Sequence, residues 1–208
     1  MSMGARPGTF ERVYAAIKAQ LLRGEHRPGD RLEPAVLADS LNASVTPVRD
    51  ALHRLTGERL IEAPRHEGFR MPLLTEPTLR HLYAWHRDLV LLAILNRRPA
   101  EGVPAPGTDT ASDGEAARLN LLFVALARAT GNPEHVLALE AVIERLAPVQ
   151  RLEELLLDAI EEEAGEILDA LGRADLRALR KSLLRYHRRR ARMVPELIER
   201  LYRGGGAG

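Results

Sequence analysis

The sequence predicts a mainly α fold in which an N-terminal winged helix-turn-helix is followed by an all-α antiparallel helical bundle. Three observations predict this class. Three short amphipathic segments lie between positions 9 and 56, and two short apolar segments around a glycine-containing turn follow at 60–71. Beyond position 75, long segments rich in Leu, Ala, Arg and Glu have helical periodicity, and aromatic residues make up only 4% of the chain.

The first two helices are predicted from apolar spacing and from their end signals. Helix 1 spans about 9–23, because apolar residues recur at every fourth position and Gly24 follows as a stop. Helix 2 begins near Pro34, since a first-turn proline removes no hydrogen bond that a helix needs. Asn42 suits a left-handed turn residue after helix 2. The expected buried face comprises Val13, Ile17, Leu21, Val36, Leu37 and Leu41.

Helix 3 and the wing complete the N-terminal part. Helix 3 is predicted over about 45–56 and stops at Gly57. Strands at 60–63 and 68–71, joined by the turn 64–67, form the expected two- to three-stranded wing. Helical spacing directs four side chains to the core: Val48, Ala51, Leu52 and Leu55. The opposite side of the helix then presents Val45, Thr46, Arg49 and His53.

Longer helices are predicted in the rest of the chain. The segment 99–114 is rich in Pro, Gly, Ala, Asp and Thr and is interpreted as a loop. The predicted helices span about 76–97, 115–130, 133–149, 151–171 and 174–202. The first should carry an apolar stripe at Leu79, Leu82, Trp85, Leu89, Leu92 and Leu95. We expect a disordered start (1–8), a winged domain (9–74), a helical domain (75–203) and a disordered tail (204–208).

Composition limits the cellular setting and the partners. The formal net charge is +1, so any affinity for nucleic acid must come from a local patch. The absence of cysteine excludes disulfides and thiolate metal sites. The start of the chain has no apolar core of signal-peptide length, and the longest apolar run, 89–95, is too short to cross a bilayer. We therefore expect a soluble, cytoplasmic protein without a membrane partner.

The exposed side of helix 3 carries residue types that read DNA. Arg49 can donate two hydrogen bonds to a guanine edge. Ser44 and Thr46 can bond phosphate oxygens or cap the helix, whose first N–H groups also offer an anion site. The alternative is that Arg49 is a solvated surface charge, or that it pairs with Asp50 or Glu58.

The wing and the start of helix 2 add further candidates. Arg65 and His66 at the wing tip can reach the minor groove or its phosphates, and Gly68 lets the wing backbone turn close to the sugar-phosphate chain. Arg31 precedes helix 2 and can contact a phosphate. The full set of candidate DNA-binding residues is Arg31, Ser44, Val45, Thr46, Pro47, Arg49, His53, Arg65, His66 and Gly68.

A set of residues across this region matches a known pattern: Pro28-Gly29-Asp30-Arg31-Leu32, Leu37-Ala38, Ser44, Thr46-Pro47-Val48-Arg49, Ala51-Leu52, Leu55 and Gly68-Phe69. In these residues the chain resembles the GntR-type bacterial transcription regulators. The resemblance implies a sequence-specific regulator of transcription, expected to be a repressor, that binds double-stranded DNA as a homodimer on a pseudo-palindromic operator.

Three positions depart from that family pattern. Val45 stands where the family usually has Arg, and Pro34 and Ala35 replace the usual Glu and the basic residue that often follows it. Valine cannot hydrogen-bond a base, although it can touch a thymine methyl group. The operator is therefore expected to differ from the usual one, or binding to be weaker.

The helical part resembles, more loosely, the effector domain called FCD in the FadR-like branch of the same family. Leu82-Tyr83, Phe123, the run 129–132 and the run 167–171 match its pattern. The chain is a helix shorter than the long family form, with the loop 99–114 in its place. The resemblance implies a domain for dimerisation and for sensing a small-molecule effector.

Many members of that branch bind a divalent metal. At positions that correspond to their metal ligands this chain has Asn120, Val124 and Ala164, and at most His187 remains as a ligand. We therefore expect no metal cofactor in the family position. The Arg and Glu of the first effector helix are replaced by His86 and Val90. A pocket for a small polar effector is expected among His86, Asn120, Phe123, Tyr186 and His187. The alternative is a lapsed ligand site, in a regulator that is constitutive or is controlled by a protein partner.

Charge is segregated near the C-terminus. The predicted helix 151–171 is acidic and the predicted helix 174–202 is basic, which indicates pairing within the bundle or across a dimer, or else a basic face that adds phosphate contacts. The run 161–163 of three glutamates is interpreted as a solvated helix face. We recognise no catalytic arrangement of nucleophile and base, phosphate loop or metal ligands, so the chain is not expected to be an enzyme.

Overall fold

The computed structural model describes residues 8–96 and 114–203, and in this part the fold is mainly helical, as predicted. The chain divides into two compact units between Leu74 and Thr75. The first contains α1 (Thr9–Leu22), β1 (Arg31–Leu32), α2 (Pro34–Ser40), α3 (Val45–Gly57) and β2 (Phe69–Arg70). The second contains α4 (Glu76–Asn96), α5 (Gly114–Arg128), α6 (Pro133–Leu156), α7 (Ile160–Gly172) and α8 (Leu176–Arg203).

The N-terminal unit has a single apolar core on which α1, α2, α3 and the strands pack. Fully buried side chains from α1 and α3 fill its centre, and Phe69 and Met71 close it from the wing side. The strands β1 and β2 are antiparallel, with Leu32 opposite Phe69. Glu62 extends this small sheet through two backbone hydrogen bonds with Arg70, of 2.8 and 2.9 Å. A helix-turn-helix and a wing therefore share one core.

Two details of this unit differ from the sequence prediction. Strand β1 was not expected, and the predicted strand at 60–63 is reduced to the bridge at Glu62. Val36 is 65% exposed, although it was expected in the core, and Ala38 is buried instead. Because each helical residue turns by about 100°, α2 can direct Leu37 and Ala38 inward only by turning Val36 outward. Asn42 does adopt the left-handed conformation, with φ 46°.

In the helical unit, α4 packs against α8, α6 and α5, and α7 packs against α8. The predicted helix boundary near 150 is wrong, because α6 continues through Pro148 to Leu156. Buried residues on both sides of the proline, Leu146 and Val149, hold the helix in the core despite the missing N–H. The chain breaks instead before α7, where Ala159 adopts a left-handed conformation with φ 56°.

The apolar stripe predicted on α4 divides between two faces. Leu79, Leu82 and Leu89 are buried, but the other three members are exposed: Trp85 by 50%, Leu92 by 47% and Leu95 by 73%. The core face is completed by Tyr83, His86, Val90, Ala93 and Ile94.

Some expectations concern residues that are not described. The predicted loop 99–114 lies outside the described residues except for Gly114, which begins α5, and the predicted disordered ends lie outside them except for Gly8. Within the two described stretches, no helix is long and apolar enough to cross a membrane.

Candidate nucleic-acid interface and buried polar cluster

Helix α3 is fixed against α1 by a polar cluster as well as by the core. Glu58, just after α3, accepts hydrogen bonds from Tyr14 (2.6 Å) and Lys18 (3.0 Å) of α1. The Arg54 guanidinium lies 4.1 Å from the centre of the Tyr14 ring. Burial raises the pKa of Glu58, but the hydrogen bonds from Tyr14 and Lys18 outweigh burial and leave its pKa below the ordinary value. These contacts hold one face of α3 and leave the other face in solvent.

The solvent face of α3 carries the side chains that the sequence predicted there. Thr46, Arg49 and His53 are exposed, and Val45 is 42% exposed. Arg49 has no ion pair or hydrogen bond with any described residue, and Glu58 is engaged by Tyr14, Lys18 and Arg54. The suggested pairing of Arg49 with Asp50 or Glu58 is therefore wrong.

The start of α3 is open to an anion. Ser44 is the N-cap residue, with φ −77° and ψ 160°, and its hydroxyl makes no capping hydrogen bond. No acidic residue lies in the first turn, so the positive end of the helix is not neutralised locally. The preceding turn is held by Arg12, which donates to the carbonyls of Leu41 (3.0 Å) and Asn42 (3.4 Å).

The wing tip is a tight turn that exposes two basic side chains. His66 and Gly68 both have positive φ, 65° and 78°, and Glu67 N–H bonds the Pro64 carbonyl at 3.2 Å. Arg65 and His66 are exposed. A side chain at Gly68 would be strained in this conformation. The turn therefore depends on glycine at this position.

Two further contacts connect the wing to its surroundings. The His53 ring lies edge-on to the Phe69 ring, with the centroids 4.9 Å apart, and so joins α3 to β2. Arg70 is bound by Glu62 (3.2 Å) and Glu67 (3.1 Å), which removes it from the free basic surface.

The ten residues predicted to contact DNA are distributed over three elements. Nine of them are exposed, and Pro47 is half-buried. Arg31 lies on β1, the wing turn carries Arg65, His66 and Gly68, and the remaining six lie on α3 or at its N-cap.

Four of the five predicted effector residues meet inside the helical unit. His86 contacts Phe123 (5.3 Å between ring centroids) and His187 (5.1 Å), and Tyr186 contacts Phe123 (5.7 Å). All four are buried. The fifth, Asn120, exchanges two hydrogen bonds with Gln150, of 2.9 and 3.2 Å.

The hydrogen bonds assign the tautomers of the two histidines. Burial lowers the pKa of His187 to about 4 and lowers the pKa of His86 well below its ordinary value, so both rings are neutral. His187 Nδ1 donates to the Leu183 carbonyl (2.8 Å), which leaves its Nε2 as an acceptor for His86 Nδ1–H at 2.9 Å. His86 Nε2 therefore carries a lone pair, and it is buried without a hydrogen-bond partner.

A buried ionic network, which was not predicted from the sequence, lies beside these four rings. Arg190 is 1% exposed and donates to Glu153 (2.7 Å) and Glu163 (2.8 Å). It also lies 3.4 Å from the centre of the Tyr186 ring. The hydroxyl of Tyr83 hydrogen-bonds the other oxygen of Glu153. Glu163 is only 6% exposed, so the prediction that 161–163 form a solvated face is wrong at that residue.

Three positions that correspond to metal ligands in the resembled family hold Asn120, Val124 and Ala164 in this chain. The Asn120 amide is bonded to Gln150, and Val124 and Ala164 are buried apolar residues. In the described stretches, no three His, Asp or Glu side chains are grouped so that they could hold a metal ion.

Comparison with known proteins identifies the N-terminal unit. Residues 9–71 match the family model described as bacterial regulatory proteins, gntR family. An uncharacterised HTH-type transcriptional regulator of Bacillus subtilis, YdhC, is 30% identical over 85 residues, which are 41% of this chain and 38% of that protein. The HTH-type transcriptional repressor GlaR of Escherichia coli is 29% identical over 70 residues, which are 34% of this chain and 32% of GlaR.

The overall fold also has a solved counterpart. The structure of Escherichia coli McbR/YncC superimposes with a TM-score of 0.68 over 92% of this chain and 99% of that chain, at 21% identity. The sequence matches, in contrast, span only about a third of the length of the curated relatives. The winged-helix unit is thus the part of the chain that matches the GntR family model, and the structural likeness to McbR/YncC extends over the helical unit as well.

Proposed function

We propose that the protein is a sequence-specific, DNA-binding regulator of transcription that acts in the cytoplasm as a homodimer, and that its helical unit is a shortened effector domain of the FCD type. The observation that carries the proposal is the solvent face of α3. It presents an unpartnered Arg49 beside Thr46, next to a helix N-terminus without acidic residues.

Base recognition follows from the chemistry of that face. A free guanidinium can donate two hydrogen bonds, one to O6 and one to N7 of guanine, and such a pair contributes about 1–3 kcal/mol of discrimination. Val45, 42% exposed, can add contact with a thymine methyl group. Ser44 and the first N–H groups of α3 are positioned to hold a phosphate. Arg65 and His66 on the wing are proposed to contact the minor groove or its phosphates.

Dimerisation is supported by the size of α3 and by the outer face of α4. With 13 residues, α3 presents few side chains to bases, so a defined operator requires two copies related by a two-fold axis. Trp85, Leu92 and Leu95 are exposed on α4 at spacings of seven and three residues, which place them on one side of that helix. We propose that this side pairs with a second copy.

Effector sensing is supported by the buried polar cluster. The lone pair of His86 Nε2 has no partner, and an unpaired buried acceptor is unfavourable by about 1–3 kcal/mol. A small molecule with a hydroxyl or N–H donor would satisfy it, with Phe123 and Tyr186 as aromatic neighbours. Such a ligand changes DNA binding only to the extent that it prefers one arrangement of the dimer.

A repressor is the proposed sign of regulation. A dimer that occupies an operator obstructs transcription without a further activity, and the relative GlaR carries the name of a repressor.

One observation favours a second candidate, a regulator whose ligand site has lapsed. Asn120 and Gln150 satisfy each other, and His187 is bonded at both nitrogens. Control would then be constitutive or would come from a protein partner. A thermal-shift screen separates the two candidates, because a ligand that binds the native state raises its melting temperature. Stabilisation that disappears in a His86→Phe variant supports sensing.

The DNA-binding proposal is tested by selecting duplexes from a random library with the purified full chain. We expect enrichment of a short inverted repeat whose half-sites lie about 34–36 Å apart, or a multiple of that distance. Recovery of unrelated sequences at low salt only would contradict the proposal.

A further inference from the structure

Helix α8 carries many positively charged side chains, and the proposed DNA recognition by the winged domain does not use them. Between positions 176 and 192 the sequence contains eight basic residues and no acidic residue. The chain as a whole has a formal charge of only +1, so this charge is segregated on one helix.

Three of the eight basic side chains are engaged within the fold. Arg190 is buried between Glu153 and Glu163, Arg185 pairs with Glu166, and Arg189 hydrogen-bonds the Asp158 carbonyl. The remaining five are exposed and have no ion-pair partner among the described residues. They are Arg177, Arg180, Lys181, Arg188 and Arg192.

These five side chains form one stripe, which we call the α8 stripe. At about 100° per residue they fall within an arc of about 120°, and from Arg177 to Arg192 they span about 22 Å of helix. Five unneutralised cations on one side repel each other, and no exposed carboxylate of α8 lies among them. A surface of this kind gains free energy when it neutralises the phosphates of a polyanion, because the cations condensed on the polyanion are then released.

We infer that the α8 stripe binds the phosphate backbone of duplex DNA and gives the protein a second, sequence-independent DNA contact. The inference rests on the proposed function, which supplies the DNA. Duplex DNA presents about one charge per 1.7 Å of its axis, so 22 Å offers about 13 phosphates on its two strands. Four of the five cations are arginines, whose planar donors suit phosphate oxygens.

A membrane surface fits the stripe less well than DNA does. A basic helix that binds a bilayer inserts its apolar face between the headgroups. The apolar face of α8 is occupied within the bundle, since Leu183, Val194 and Leu197 are each 0% exposed. The α8 stripe is therefore basic, and only Leu184 and Ala191, both half-buried, fall within the same arc, so it suits a backbone-type contact.

The test compares the full chain with two variants of equal charge. The stripe variant carries Arg177→Gln, Lys181→Gln, Arg188→Gln and Arg192→Gln. The control variant removes four exposed cations elsewhere in the helical unit: Arg128→Gln, Arg151→Gln, Arg173→Gln and Arg203→Gln. Circular dichroism checks that both are folded. Binding to a duplex several turns long, with the selected site at its centre, is measured by fluorescence anisotropy between about 50 and 200 mM salt.

Each phosphate contact contributes about 0.9 to the slope of log K against log salt. The stripe variant lacks four of these cations, so the magnitude of its slope should be smaller than that of the wild type by up to about 3.6. Across this salt range the affinity of the wild type should therefore fall up to about 150-fold more than that of the stripe variant. The control variant should have nearly the wild-type slope, and both variants should keep the preference for the selected site.

Equal slopes in the two variants would overturn the inference and leave the proposed function standing, whereas wild-type protein without any preferred site would overturn the proposed function itself. Loss of the dimer in the stripe variant alone, seen by sedimentation, would assign the stripe to a protein interface and overturn the inference. A third result would also overturn the inference: the wild type binds vesicles containing phosphatidylserine, the stripe variant alone loses that binding, and the salt dependence of DNA binding stays unchanged.

Discussion

Replacing Arg190 with methionine should be among the most destabilising single changes in the helical unit. Arg190 is enclosed by Glu153, Glu163 and the ring of Tyr186, and the residue is 1% exposed. Methionine has a similar length and no charge. The substitution leaves two buried carboxylates that no longer face a guanidinium.

The expected magnitude follows from the broken contacts. Arg190 donates one charged hydrogen bond to each carboxylate, at 2.7 and 2.8 Å, and a hydrogen bond to a charged group contributes about 1.5–3 kcal/mol. Removing one partner of a buried ion pair is unfavourable by about 3–5 kcal/mol. We therefore expect the free energy of unfolding of the helical unit to fall by about 4 kcal/mol.

The assay is urea denaturation at fixed protein concentration, followed by the fluorescence of Trp85, the single tryptophan, which reports the helical unit. Arg192→Met is the matched control, since Arg192 lies on the same helix but is exposed, and its effect should stay within about 0.5 kcal/mol. Adding Glu153→Gln and Glu163→Gln to Arg190→Met should recover most of the loss. Equal losses of unfolding free energy in Arg190→Met and Arg192→Met would show that the buried ion pairs of Arg190 do not stabilise the helical unit.

Two further predictions concern acid stability and assembly. The pKa of His187 is about 4 in the folded chain and about 6.5 when unfolded. Its contribution to the free energy of unfolding is therefore complete above about pH 6.5, declines as the pH falls and levels off near pH 4. The part of this loss that comes from His187 should reach about 3 kcal/mol in denaturation curves at stepped pH. His187→Gln should make the pH profile shallower in this window without levelling it, because burial lowers the pKa of His86 as well; a profile identical to that of the wild type would contradict the prediction. Separately, Trp85→Arg with Leu92→Asp should convert the proposed dimer to a monomer in sedimentation velocity, whereas Leu137→Asp, at another exposed leucine, should not. A dimer that persists in the first variant would assign the interface elsewhere.

The N-terminal unit could be predicted closely because local signals determine it. Short amphipathic helices separated by Gly24 and Asn42 have few alternative ways to bury their apolar faces. The error at Val36 arises where two apolar residues are adjacent, since periodicity alone does not select which of them faces inward.

The helical unit was predicted less well because its decisive contacts are remote in sequence. Arg190 lies in a run of three arginines, and nothing local separates it from its exposed neighbour Arg188. Its burial depends on Glu153 and Glu163, which are 37 and 27 residues away on two other helices. The helix break was misplaced for a similar reason, since tertiary packing keeps Pro148 within α6.

The aromatic cluster was found for a different reason. The resemblance to the family indicated the sequence positions of His86, Phe123, Tyr186 and His187, and the structure brings these four rings together. It could not supply the Asn120–Gln150 pair, because Gln150 lies outside the matched pattern.

In the proposed function, Arg49 on the solvent face of α3 reads base sequence, and a second arginine of the same helix, Arg54, serves as its control. Arg49 faces solvent without a partner, whereas Arg54 lies over the Tyr14 ring on the side that packs against α1. The measurement is the affinity of Arg49→Ala and Arg54→Ala for the selected duplex and for one with its guanines exchanged, at one salt concentration.

We expect Arg49→Ala to lose about 1–3 kcal/mol of discrimination for each guanine it contacts, and Arg54→Ala to keep the wild-type preference even if its affinity falls slightly. Equal loss of preference in both variants, or its retention in Arg49→Ala, would show that Arg49 does not read the bases.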